Sequence, residues 1–147
     1  MTYRLNRAMQ IAYPQGLANL AAPLPEGLEE LIASGFVDTG QCICLKALAE
    51  RAHAEPDDFP DCTGYECFVN LVHVDDYAST NMTAIGITFL SEISRLLRER
   101  FPERSFRGII TIDEATCTVR FHAVRLGEQW LGDDLDKYEE RVGVIDI

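Results

Sequence analysis

Apolar and polar positions along this chain recur with two different periods, and each change of period predicts a change of element. The clearest stretch is "TAIGITFLSEISRLLRERF", residues 83 to 101, where Phe89, Leu90, Ile93, Leu96, Leu97 and Phe101 recur at helical spacing. Arg95, Arg98 and Arg100 fall in its last turns, where the helix dipole favours cations, and Pro102 ends it. "SFRGIITI" and "CTVRFHAVRL" follow, joined by the four residues "DEAT", and together predict a hairpin. In the second of these strands Thr118, Arg120, His122 and Val124 share one face, and Val119, Phe121 and Ala123 share the other.

Upstream, "PEGLEELIASG" reads as a short helix with Glu29 and Glu30 in its early turns and Gly35 as its stop. "TGQCICLKALAERAHAEP" reads as a second helix, with Thr39 as cap and Leu45, Leu48, Ala49 and Ala52 as an apolar stripe. "EPDDFPDCTGY" has the prolines, aspartates and glycine of a loop. "YECFVNLVHV" reads as a central strand, because both alternating sets are mostly apolar: Cys67, Val69, Leu71, His73 and Phe68, Asn70, Val72, Val74. "GDDLDKYEERVGVI" reads as a closing helix capped by Asp133 or Asp134. Residues 1 to 25 show no clear period and are expected to wrap the domain or stay mobile.

This order predicts an α+β fold, a small sheet of about three strands, one hairpin included, covered by four helices. A helical crossover before the hairpin allows one parallel strand pair. The 147 residues suffice for a single domain, 1–147, with one core. No apolar run approaches the roughly 18 residues of a membrane span, and the N-terminus lacks the compact apolar region of a secretory signal. A cytoplasmic location is the expectation. The five cysteines, Cys42, Cys44, Cys62, Cys67 and Cys117, cannot all pair within one chain, so reduced thiols are expected.

Charge changes the picture most. The formal net charge is −11 and it is uneven along the chain. Residues 50 to 80 hold eight acids and one base, and residues 126 to 147 hold seven acids and two bases. Residues 95 to 107 reverse this, with five arginines and two glutamates. Such a balance argues against nucleic acid as a direct partner, since phosphate binding needs clustered cations. It suits a basic protein partner, although an acidic surface also serves solubility alone.

Candidate chemistry is sparse. His73 and His122, with Arg120 and Glu128, could form a hydrolytic or nuclease-like site by paired acid and base catalysis if their strands are neighbours in the right register. The plainer reading is that each imidazole bonds a carbonyl or carboxylate. His73 and Asp75, two residues apart on a strand, could begin a metal site completed by His122 and Glu128. Cys42, Cys44, Cys62 and Cys67 lack the spacing of a zinc knuckle. Cys42 at a helix start would be the one thiol with a reason to react, with no base beside it. No phosphate-binding glycine loop and no nucleophile elbow occurs. No cofactor is expected.

The remaining candidates are acids that flank aromatics, expected to be exposed: Asp57, Asp58 and Asp61 in the loop, Glu66 beside Tyr65, Asp75, Asp76 and Tyr77 after the strand, and Asp133, Asp134 and Asp136 near Trp130 and Tyr138. Aromatics anchor an interface and acids steer and pair with Lys or Arg, while a Trp can equally plug the end of a core. A small acidic α+β protein without a catalytic signature resembles, as a class, the bacterial immunity proteins that neutralise toxins. That resemblance implies a non-catalytic inhibitor docking on a basic toxin domain, such as a nuclease. A third possibility is a subunit of an assembly, its arginine-rich helix meeting an acidic surface of another copy.

Overall fold

The computed structural model describes residues 2–39 and 41–147. Met1, in the expected N-terminal segment, and Gly40, in the expected second helix, lie outside the described residues. The strands are β1 (Tyr3–Leu5), β2 (Phe36–Thr39), β3 (Cys42–Leu45), β4 (Val72–His73), β5 (Phe106–Ile112), β6 (Cys117–Ala123) and β7 (Arg141–Asp146). The helices are α1 (Arg7–Ala12), α2 (Glu26–Ala33), α3 (Lys46–Arg51), α4 (Cys62–Val69) and α5 (Met82–Arg100), with short 3-10 turns at Pro56–Asp58, Val74–Asp76 and Leu135–Lys137.

The fold is mixed α+β, but the expected sheet of about three strands under four helices is overturned. A five-stranded antiparallel sheet runs in the order β1-β7-β5-β6-β4, beside a two-stranded sheet of β2 and β3, with five helices among the described residues. Every strand pairing described is antiparallel, so the crossover into a parallel pair does not form.

Three reassigned segments account for much of the difference, and β1, α1 and β2, which arise where no such element was expected, account for the rest. "GDDLDKYEERVGVI" is a 3-10 turn followed by β7, not a closing helix, and β7 pairs with β5 on one side and β1 on the other. Its residues Val142, Val144 and Ile145 suit the extended backbone better than a helix, since branched Cβ atoms crowd a helical turn. "CICL", at the head of the expected second helix, is β3, with all four side chains buried, and helix begins only at Lys46. "YECFVNLVHV" is mostly helix: α4 starts at Cys62 under an Asp61 cap whose Oδ1 accepts from Gly64 N at 2.8 Å. Only Val72 and His73 remain extended.

The hairpin β5–β6 and helix α5 carry the core. Ile85, Phe89, Leu90, Ile93 and Leu97 of α5 pack on Phe106, Ile110, Ile112, Cys117, Val119, Phe121 and Ala123 of the sheet. Gly86 sets the close approach, because a Cβ there would meet Ile110, Val119 and Cys117 at 3.1 to 3.4 Å. The other face buries Ile109, Val142 and Val144 under Leu135, with Leu131 and Tyr138 packed beside them. The irregular segment 126–140 is therefore the second cover of the sheet.

Residues 1–25, which have no period of their own, are held by tertiary bonds. Asn6 is 1% exposed. Its Oδ1 accepts from Met9 N and Val142 N, both at 3.0 Å, and its Nδ2 donates to the Glu140 carbonyl at 2.6 Å. One side chain thus caps α1 and fastens it to the start of β7. Asn6→Ala removes the cap and leaves buried backbone groups unpaired. A loss of about 2–4 kcal/mol in unfolding free energy is expected, read from urea melts. A loss near zero would mean that these bonds are replaced by water.

Candidate functional site

Helix α4 is where the sequence candidates converge. It lies between the small sheet and the free edge of β6, and two of its side chains, four residues apart, bond both. Glu66 is 0% exposed. Its Oε2 accepts from Ile43 N of β3 at 2.5 Å, and its Oε1 accepts from Ala123 N of β6 at 2.8 Å. Asn70 repeats the bridge one turn on: Oδ1 accepts from Leu45 N at 3.0 Å, and Nδ2 donates to the carbonyls of Ile43 at 3.0 Å and Phe121 at 3.2 Å. Arg125 closes the set, donating to both Glu66 oxygens at 2.8 and 2.7 Å. Burial alone would make an unpaired Glu66 carboxylate costly, and four donors hold it in place.

The segment after β6 folds back over the start of this helix. Glu128 Oε1 accepts from Thr63 N at 3.1 Å and from Thr63 Oγ1 at 3.0 Å. Arg120 donates to the Cys67 carbonyl at 3.3 Å, and its guanidinium lies 4.9 Å from the centre of the Trp130 ring. Phe68, the next residue of α4, is 53% exposed and Trp130 is 44% exposed. Phe59 in the preceding loop stacks against Phe68 at 5.3 Å and Tyr65 at 5.7 Å between ring centres. The result is an aromatic face built from the loop before α4, the helix itself and the segment after β6. The two acidic blocks meet beside it, joined by the Glu128–Thr63 bonds.

The nine expected binding residues do not form one cluster. Asp57 is exposed in the loop, whereas Asp58 and Asp61 work on their own backbone. Asp58 Oδ2 accepts from Glu55 N at 2.9 Å, and Asp61 caps α4. Asp75 sits at the far end of β6, accepting from Cys117 N at 3.0 Å, with Asp76 exposed next to it. Tyr77 is partly buried against the main core. Asp133 accepts from Gln129 Nε2 at 3.2 Å, and Asp134 accepts from Asp136 N at 3.1 Å. Asp136 accepts from Arg7 N at 2.6 Å, at the start of α1. All nine lie in the two acidic blocks by sequence, but only Asp57, Asp58 and Asp61 directly precede α4, while Asp75 and Asp76 sit at the other end of β6 and Asp136 is bound to the start of α1. Asn70, Phe59 and Phe68 were missed as site residues, and Glu66, expected with Tyr65 on an exposed acidic and aromatic surface, is instead buried, as is Tyr65. The i and i+4 spacing of Glu66 and Asn70 was the available signal, and it was hidden by reading this stretch as a strand.

The histidines are neighbours by strand but not by register. His73 faces Thr118, and His122 lies four residues further along β6, about 13 Å away at a strand rise of about 3.3 Å per residue. His73 is exposed, while His122 is buried with Nδ1 2.9 Å from the Ala123 carbonyl. Arg120 is on Cys67, Glu128 on Thr63 and His122 on Ala123, so three of the four hydrolytic candidates have separate partners and the exposed His73 stands apart from them. The metal set is dispersed in the same way, and among the described residues no three His, Cys, Asp or Glu are placed to hold a metal ion. The expectation of reduced thiols also fails. Cys42 and Cys62 form a disulfide of 2.00 Å, and Cys44, Cys67 and Cys117 are buried free thiols.

Two outcomes are expected from this arrangement. Glu66→Gln leaves Arg125 without its counter-charge and sets amide hydrogens against N–H donors. It should cost about 3–5 kcal/mol in urea unfolding, and a cost below about 1 kcal/mol would show the pair to be dispensable. The second concerns His122, whose pKa is lowered first by burial, with Arg107 and Arg125 adding to it and Ala123 and Glu66 opposing. Its folded pKa lies below the unfolded value of about 6.5, so its contribution is complete above that pH and is lost as pH falls through the folded pKa. Wild type should therefore lose stability on acidification below about pH 6.5 more steeply than His122→Gln. Parallel profiles would remove His122 from the account.

Among the described residues no helix is long and apolar enough to cross a membrane. No solved structure matches the chain. A protein of Pasteurella multocida (strain Pm70), described as "Uncharacterized protein PM0498", is 38% identical over 74 residues, covering 48% of this chain and 47% of that protein. The match thus spans about half the length of that relative. The family model covers residues 4–147, and the chain belongs to the Uncharacterized protein PM0498 family.

Proposed function

We propose that this chain is a non-catalytic binding protein that docks on a basic protein partner through the face around α4, in the manner of an immunity protein blocking a toxin domain such as a nuclease. One observation carries the reading: Phe68 and Trp130 stand exposed, with the half-buried Phe59 packed against Phe68, where the two acidic blocks meet. Exposed aromatics of this size are typical anchors of an interface, and a rim of carboxylates raises the encounter rate with a cationic surface and pairs with its Lys and Arg. The net charge of −11 acts in the same direction at longer range. A basic nucleic-acid-cutting cleft is one surface that such an acidic face can fill, because carboxylates take the positions of phosphates. The proposed setting is the cytoplasm, where such a toxin would act.

The hydrolase alternative is not carried forward, since its imidazoles are held apart by the β4–β6 register. The test is affinity for a basic partner isolated from the native lysate at low salt, compared across variants whose folding is verified by melting. Trp130→Ala and the pair Asp57→Lys with Asp133→Lys avoid the capping aspartates. Each is expected to weaken binding by about tenfold or more, with the charge pair losing its effect at high salt. Unchanged affinity in both variants would remove this face from the interaction.

A further inference from the structure

We propose that the Cys42–Cys62 disulfide is a redox-controlled clasp on the docking face, a regulation that rests on the binding reading above. The bond joins the first residue of β3 to the first residue of α4 and closes the segment between them, 20 positions in sequence. That segment contains the loop 52–61, which carries Asp57, Asp58, Phe59 and Asp61. From Glu55 to Phe59 the loop's hydrogen bonds are local, Glu55 N to Asp58, Asp58 N to the Glu55 carbonyl and Phe59 N to the Pro56 carbonyl, and only at Asp61 does the loop bond α4. Phe59 reaches α4 by ring contacts with Tyr65 and Phe68. The disulfide is the covalent tether that fastens the loop's far end, at the start of α4, to the start of β3 and so closes α3 and the loop into one ring.

The position of the bond also suits reversible chemistry. Cys42 is fully buried, and Cys62 is partly exposed. The thiolate of an external dithiol attacks Cys62 Sγ, and the Cys42 sulfur leaves and is protonated. The second thiol of the reagent then displaces Cys62 from the mixed disulfide. The protein gains two electrons and two protons, and the dithiol becomes a disulfide. The three other thiols do not compete, because burial pushes Cys44, Cys67 and Cys117 each up to about 12, so they stay protonated near neutral pH. Most of the core residues belong to the main sheet and α5 and lie outside the clasp, so reduction is expected to release the loop rather than unfold the protein.

The test compares full-length oxidised protein, the same protein reduced by dithiothreitol, and the variant Cys42→Ser with Cys62→Ser. Amide hydrogen exchange is followed by mass spectrometry alongside binding of a fluorescent oligolysine peptide. Exchange over 52–61 should quicken severalfold on reduction while β5, β6 and α5 stay protected, and peptide affinity should fall severalfold. Reoxidation restores both, and the variant behaves as the reduced form in either buffer. Unchanged exchange in the loop of reduced wild type overturns the clasp, even if the variant fails to fold. Faster exchange with unchanged peptide affinity keeps the clasp as a structural event but overturns both its regulatory role and the loop's place in the docking face.

Discussion

The outer edge of β6 is the constraint on which the rest of this structure depends. Beyond the two residues of β4, this strand has no further strand beside it, yet its inward-facing positions need partners. Partners come at every second residue, from side chains at Cys117 (Asp75), Phe121 (Asn70) and Ala123 (Glu66) and from the backbone of β4 at Val119. Asn70 and Glu66 bond β3 with their remaining atoms, so the small sheet is attached to the large one through a helix rather than through a ladder. An edge covered in this way does not recruit a foreign strand. The same device fixes α4, and with it Phe68, against β6.

A buried carboxylate is a demanding joint. It has to be paired and saturated with donors, and the alternative of an apolar contact would bond no backbone at all. Here the Arg125 guanidinium answers the charge while Ile43 and Ala123 supply the backbone donors. Arg125 also donates to the Gln41 carbonyl at 2.9 Å, at a residue with a left-handed φ of 78°. The β2–β3 turn, the start of α4 and the end of β6 are thereby tied to one ion pair. Structure and proposed function are linked at this point, because the acidic segment that follows Arg125 is laid across α4 by the next carboxylate, Glu128.

Acidic residues in this chain therefore do two kinds of work. Asp58, Asp61, Asp134 and Asp136 accept from backbone N–H groups at turns and helix starts, where a short carboxylate is a good cap, and Asp75 accepts from the first N–H of β6. Their contribution to a field that attracts a basic partner comes in addition to that role. Composition cannot separate the two, since both demand Asp in loops next to Gly, Pro and aromatic residues.

The amino-acid sequence by itself determined α5, the β5–β6 hairpin and α2, because each carries its period over enough residues, or its turn chemistry closely enough, for local preference to decide. It also determined the strongly acidic character and the absence of common cofactor motifs. Tertiary structure alone decided α4, β3 and β7. Residues 62–74 are apolar in both periods, and the choice of helix came from the Asp61 cap together with the burial of Glu66 and Asn70 between two strands. β7 formed because β5 had an open edge that a branched segment could fill, a partner about 30 residues away that no local window contains. The separation of His73 from His122 and the pairing of Cys42 with Cys62 have the same origin: each depends on the register between distant segments, and register is settled by packing.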